Sequence, residues 1–357
     1  MKKQRIAFLD FARALAILLV VLCHVVEMFF PFSLEGMQEM RPHSQLFAIT
    51  TLTIGRLGVP LFLMISGYLL LGRRYDEEGC RRFWKRNWLH LFFLTIVWIL
   101  LYQVFFALRG SNSYIPEPES TDLVIRQLFM AQPLSMAHMW YLPMILGVYL
   151  LIPFVSNALL SMDRKQLLFP VLIFSVVFFV PSVVNDFLGG NGEDLLNVVF
   201  YEGFSGGAYG LYLVMGYLVR EGTFRKVPSL LLAVAMLAFL ASGVWLQMYS
   251  IRHEFYYSMW YANLFCYVPS VCLFELFTRM RRIPMRRLAE RVAYDSFAIF
   301  LLHNMVIMIL MPQFERLAYM RSIKMAILWL AAIVISMLAA FVINRIPVVG
   351  KWLLYSK

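Results

Sequence analysis

The apolar positions of this chain come in long unbroken runs rather than in stripes. From Ile6 to Phe30 it reads IAFLDFARALAILLVVLCHVVEMFF. A helix needs about 20 mainly apolar residues to cross a bilayer, so this run is long enough. Nine further runs follow, near 47–72, 89–108, 139–160, 167–184, 206–219, 229–249, 259–278, 294–312 and 325–345. The sixth of the ten is short and rich in glycine. The pattern predicts an all-α polytopic membrane protein of about ten transmembrane helices, forming a single transmembrane domain over residues 1–357 with no separate soluble domain. A basic, helix-like segment, CRRFWKRNWLHL, lies between the second and third runs. No internal repeat is visible, so an inverted-repeat transporter architecture has no support in the sequence.

The polar interruptions of the first run are more telling than its apolar bulk. Asp10, Arg13, His24 and Glu27 sit where charge is costly, and such groups usually face a protein interior and have a function. Arg13 and His24 are eleven residues apart, which is three helical turns plus about 20° and roughly 16 Å along the axis. They share one face, with Asp10 a turn before Arg13 and Glu27 a turn after His24. The first helix therefore carries a polar rail.

Charge then orients the runs. Lys2, Lys3, Arg5, Arg73, Arg74, Arg81, Arg82, Lys85, Arg86, Arg164, Lys165, Arg220, Arg225, Lys226, six arginines from Arg279 to Arg291, Arg345, Lys351 and Lys357 fall in alternate connections, 23 of the 32 basic residues. The other connections hold only Arg41, Arg109, Arg126, Arg252, Arg316, Arg321 and Lys324. The positive-inside rule then predicts both termini in the cytoplasm. This distribution accounts for the net charge of +11 as a topology signal with anionic-lipid contact and argues against nucleic acid as a partner; the lipid bilayer is the partner it implies. A 61% hydrophobic, 15% charged composition and a mean hydropathy of +0.71 agree. The start is not read as a cleaved signal peptide, because the run is too long and holds Asp10 and Arg13. Cys23, Cys80, Cys266 and Cys272 form no CxxC pair, so no metal site is expected. Of two longer outer loops, 109–138 reads as an ordered or partly helical connection and 185–205, with DFLGGNGEDLL, as flexible.

Four further places carry candidate chemistry: Arg56 to Tyr68 (RLGVPLFLMISGY), the basic pair Arg82 and Arg86, the HMWYL that opens the fourth run with His138 and Trp140, and SFAIFLLH ending at His303. With LD-x2-R-x10-H (Leu9, Asp10, Arg13, His24), these blocks resemble the family 3 membrane acyltransferases over most of the chain and in the family's order. The layout is similar to the enterobacterial common antigen O-acetyltransferase type within that family, without the soluble extracytoplasmic domain that some relatives append. The resemblance implies a multi-pass protein of the bacterial inner membrane. It implies an acyl group, most simply acetyl, taken from cytoplasmic acetyl-CoA and moved to a hydroxyl on an envelope polysaccharide, its lipid-linked precursor or a glycolipid.

The chemistry fits that resemblance. Acyl transfer to an alcohol needs a base and an oxyanion stabiliser, and histidine titrates near neutrality. His24 is the expected general base. Arg13 is too far along the helix to share its reacting atom and is expected to position the donor, with Arg82, Arg86, Ser66 and Tyr68 also on the donor side. Arg56, His138, Trp140 and His303 are expected on the acceptor side. Direct transfer in a ternary complex and an acyl-histidine intermediate are both compatible with this set. Plainer readings stand beside each role. Asp10 and Arg13 suit an i,i+3 ion pair, Glu27 a solvated residue or a partner of His24, and Arg82 and Arg86 topology alone. His138 and Trp140 suit an interfacial anchor, His303 packing, and Gly206 to Gly210 a small-residue helix contact. A glycan exporter or flippase and a proton-coupled transporter using Asp10, Glu27 and His24 are the rival functions.

Overall fold

A computed structural model describes residues 6–134, 136–188, 196, 207–255, 257, 259–346, 350 and 352–354. Lys2, Lys3, Arg5, Lys351, Lys357, Gly206 and most of the 185–205 loop lie outside the described residues. Among those described there are no strands. The helices are α1 (Ala7–Phe29), α2 (Leu34–Gln38), α3 (Pro42–Gly55), α4 (Gly58–Leu70), α5 (Glu77–Phe83), α6 (Leu89–Arg109), α7 (Thr121–Leu128), α8 (Tyr141–Ser161), α9 (Arg164–Leu188), α10 (Gly207–Arg220), α11 (Ser229–Arg252), α12 (Leu264–Thr278), α13 (Arg286–Glu315) and α14 (Arg321–Ile343). A π-helical turn, Trp84–Trp88, joins α5 to α6, and a 3-10 turn, Ala137–Trp140, leads into α8. The 109–138 connection is partly helical, as its sequence predicts: Ser120 caps α7 by accepting from the Leu123 amide.

Among the described residues eight helical segments are long and apolar enough to cross a membrane, with α3–α4 counting as one and α5–α6 as another. Eight of the ten predicted runs correspond to these. The sixth and eighth instead appear as α10 and α12, of 14 and 15 residues, or about 21 and 22 Å. Their environment explains the shortness. Both are largely buried in protein, so their length is set by neighbouring helices and not by lipid.

The chain forms two compact units. The first comprises residues 1–73 and 158–293 and is built around α1, α3, α4, α10 and α12. Its closest helix crossing is between α4 and α10. A Cβ on Gly67 would lie 1.9 Å from the Leu213 carbonyl oxygen, and one on Gly216 would lie 2.0 Å from the Met64 oxygen. Two backbones touch here directly, as small residues at membrane helix interfaces allow. Within the small-residue stretch 206–210, a Cβ on Gly207 would press on the Phe178 ring and Ala208 is buried, whereas a Cβ on Gly210 would meet nothing within 4 Å. Helices α9 and α11 expose most of their apolar residues, which suits a lipid-facing position.

The second unit comprises residues 74–157 and 294–357. Its core includes Trp98, Tyr102, Phe106, Leu142, Ile145, Leu301 and Leu328. Trp84 and Trp88, one π-turn apart, donate their indole N–H groups to the carbonyls of Leu150 and Leu146 on α8 at 3.3 and 2.9 Å. On α14 the exposed residues Ile323, Ile327, Leu330, Val334, Leu338 and Phe341 recur every three or four positions and form a lipid-facing stripe.

Candidate active site

The break between α3 and α4 places the first candidate residue. Pro60 has no amide hydrogen, so the Arg56 carbonyl loses its helical donor. The Cys266 thiol at the start of α12 donates to it instead, at 3.7 Å. Glycines flank the break and let it press against α1. A Cβ on Gly58 would fall 2.6 Å from the Ala16 oxygen, and one on Gly55 would fall 3.2 Å from the Cys23 backbone. The result is that Arg56, nearly fully buried, emerges beside the last turns of α1.

There Arg56 Nη2 lies 3.1 Å from Glu27 Oε1, while the other carboxylate oxygen, Oε2, lies 3.4 Å from His24 Nδ1. Glu27 thus bridges the histidine and the arginine. With Nδ1 turned to the carboxylate, proton chemistry falls to the other ring nitrogen, Nε2. His24 remains partly accessible, with 21% of its side-chain surface exposed. Trp260 lies over the Arg56 guanidinium at 4.2 Å and Tyr261 is at 5.4 Å, within cation–π range. The Arg56 Nε is buried without a hydrogen-bond partner. Tyr261 is held by its own carbonyl, which accepts from the Tyr212 hydroxyl at 2.9 Å, and Asn263, two residues on, caps α12.

Trp260 and Tyr261 had no role in the sequence reading. The available signal was a Trp-Tyr pair just before the Asn263 cap, opposite a buried arginine.

At the other end of α1, Asp10 is buried and Arg13 half-buried, on the same uninterrupted helix as His24. Ser66 and Tyr68 are also half-buried. The Tyr68 ring packs edge-on to Phe8 and Phe274 at 5.3 and 6.2 Å. Its carbonyl, with those of Leu71 and Gly72, accepts from Arg220. This gives Tyr68 a packing role at the end of α4. Arg82 and Arg86 are exposed, on α5 and on the π-turn, and Arg82 pairs with Glu78. The expected donor set is therefore divided: Arg13, Ser66 and Tyr68 belong to the first unit and Arg82 and Arg86 to the second.

The expected acceptor set divides in the same way, since His138, Trp140 and His303 belong to the second unit. His138 is buried, and its surroundings fix its tautomer. Asn304 Nδ2 donates to Nδ1 at 2.8 Å. Tyr102 donates its hydroxyl to the Leu301 carbonyl at 2.9 Å, so its oxygen accepts from His138 Nε2 at 3.2 Å. Both ring nitrogens of His138 are thus engaged by neighbouring side chains of its own unit. His303 is buried, bonds the Ile299 carbonyl through Nδ1 at 2.9 Å and packs against the His138 ring. Trp140 is half-buried against Tyr141. Among the described residues no cluster of three or more His, Cys, Asp or Glu is placed to hold a metal ion.

Comparison with known proteins adds a family. The family model described as acyltransferase domain, of the acyltransferase-3 type, matches residues 6–345. A protein of Enterococcus faecalis named as an amino-acid racemase is 24% identical over 326 residues, covering 86% of this chain. The chain spans 42% of the length of that curated relative, and the racemase name belongs to that protein. No solved structure matches.

Proposed function

The chain belongs to the acyltransferase-3 family of multi-pass membrane acyltransferases, and on that footing we propose that it moves an acetyl group from cytoplasmic acetyl-CoA to a hydroxyl of an extracytoplasmic envelope glycan or glycolipid. The observation that carries this reading is the Glu27 carboxylate bridging His24 and Arg56. In the reaction, His24 Nε2 takes the proton of the acceptor hydroxyl as its oxygen attacks the thioester carbonyl. Glu27 steadies the imidazolium that forms. The Arg56 guanidinium answers the tetrahedral oxyanion, a role supported by its charge beside His24 and by its Nε being a buried donor without a protein partner. Collapse releases the thiolate of coenzyme A, which recovers the proton from His24. Arg13, about 16 Å away along α1, holds the donor through its planar fork.

The test is transfer from labelled acetyl-CoA by the purified protein to acceptor fractions from the cell envelope. Label should appear as an alkali-labile ester, and the Arg13→Lys variant should show a raised KM for acetyl-CoA. Movement of glycan across vesicles with no ester formed would establish the exporter reading instead.

The reading also needs a sided membrane. A reporter inserted at Ser113 should read outside and one fused after Lys357 inside, on the strength of the basic-residue asymmetry. Two reports from the same side would overturn the assigned orientation.

A further inference from the structure

A second feature of the first unit lies between α3 and α11. A groove of about 690 Å³ is floored by Leu46, Thr50 and Ile54 on one side and by Leu237, Ala241, Val244 and Trp245 on the other. Its lining is almost wholly apolar until one end, where Tyr249, Arg252 and His253 close the mouth. Trp245, Tyr249 and His253 stack down one face of α11, with ring centroids 5.4 and 4.0 Å apart. Arg252 is exposed, and no described acidic group pairs with it.

Length identifies what such a groove fits. From Leu237 to Arg252 is 15 residues of helix, about 22 Å. Half of a bilayer including its head groups is about 20–22 Å. The groove is therefore one leaflet deep, apolar where acyl chains lie and cationic where a phosphate lies. By the distribution of basic residues, that leaflet is the outer one.

Its depth relative to the His24 cluster decides between two lipids. Gly55 is level with Cys23 on α1, whereas Leu46, the lining residue nearest the start of α3, is nine residues and roughly 14 Å further out along that helix. A head group held at Arg252 stays well above Arg56, so the groove does not present an acceptor hydroxyl to His24. We propose that this groove is a binding site for an anionic phospholipid of the outer leaflet, with its chains between α3 and α11 and its phosphate at Arg252 and His253.

Native mass spectrometry of the protein released from nanodiscs tests this. In discs of equal phosphatidylglycerol and phosphatidylcholine with identical chains, the retained adduct should be phosphatidylglycerol. Arg252→Gln should lower its retention roughly fivefold, the effect of one basic residue near an anionic surface. Ala241→Trp should fill the groove and remove the adduct from a protein that still unfolds at the wild-type temperature. Leu237→Trp, at the deep end, serves if Ala241→Trp does not fold. Equal retention of both lipids, or an adduct untouched by the groove-filling variants, overturns the proposal. So does recovery of a polyprenyl phosphate as the adduct, which would make the groove the seat of the acceptor's own anchor. The outcome is independent of acetyl transfer, because lipid retention is read without turnover.

Discussion

Replacing His24 with alanine is expected to lower acyl transfer at least ~10²-fold, the usual scale for losing a general base, while leaving the protein inserted and folded. The loss follows from placement. His24 is partly exposed and shares Glu27 with Arg56, so truncating it removes the base without opening a large cavity. Glu27→Gln is a graded companion. It keeps an oxygen toward Nδ1 but loses the charge that supports the imidazolium, so turnover should fall less than for His24→Ala while the acetyl-CoA KM holds. Steady-state kinetics of detergent-purified variants, with thermal unfolding alongside, supply the check. Near wild-type turnover by His24→Ala would take that residue out of the mechanism. Lost donor binding by the same variant would reverse the assignment of donor and acceptor ends.

The second large effect is expected in the fold. Gly67→Ala and Gly216→Ala each place a methyl group about 2 Å from a backbone carbonyl oxygen of the facing helix. No rotamer change relieves a contact with backbone, so α4 and α10 must separate. Overpacking commonly costs about 1–3 kcal/mol and occasionally more; these sites belong at or above the top of that range. Gly210→Ala is the internal control, since its added Cβ meets nothing within 4 Å and alanine favours helix by about 1 kcal/mol. Its unfolding temperature should stay level or rise while those of the other two fall. If all three behave alike, the close crossing is not where the stability resides.

Much of this was legible in the chain because apolar runs of bilayer length leave little choice of fold. Arg13 and His24 on one helix followed from spacing alone. The partner of Glu27 did not, because Arg56 reaches it only through a helix break. That break depends on Pro60, on glycines 55 and 58 and on a thiol from a distant helix. Gly55 and Gly58 were visible as residues, but their use against the α1 backbone was not. Helices α10 and α12 read as spans because burial in protein and burial in lipid leave the same apolar signature, and only packing separates them. For His138 and His303 the sequence shows position and not partners. A histidine in an apolar run is equally consistent with catalysis and with an internal hydrogen-bond chain, and the bonds His138 makes to Tyr102 and Asn304 come from helices far apart in sequence, which spacing does not show.

Arg220 and Arg279 have a consequence for how the chain acquires its orientation. Both belong to the set of cations from which the positive-inside rule predicts one side of the membrane, a rule that acts as the chain inserts. In the folded first unit they are spent. Arg220 donates to three carbonyls around the end of α4. Arg279 donates to the carbonyls of Val227 and Phe224 while held by Glu275. The same guanidinium groups thus act first as an address and then as a seal. Once the seal is made, turning a hairpin over would cost these hydrogen bonds as well as the passage of charge through lipid. On the predicted orientation, these hydrogen bonds lock in by folding what the charges select during insertion.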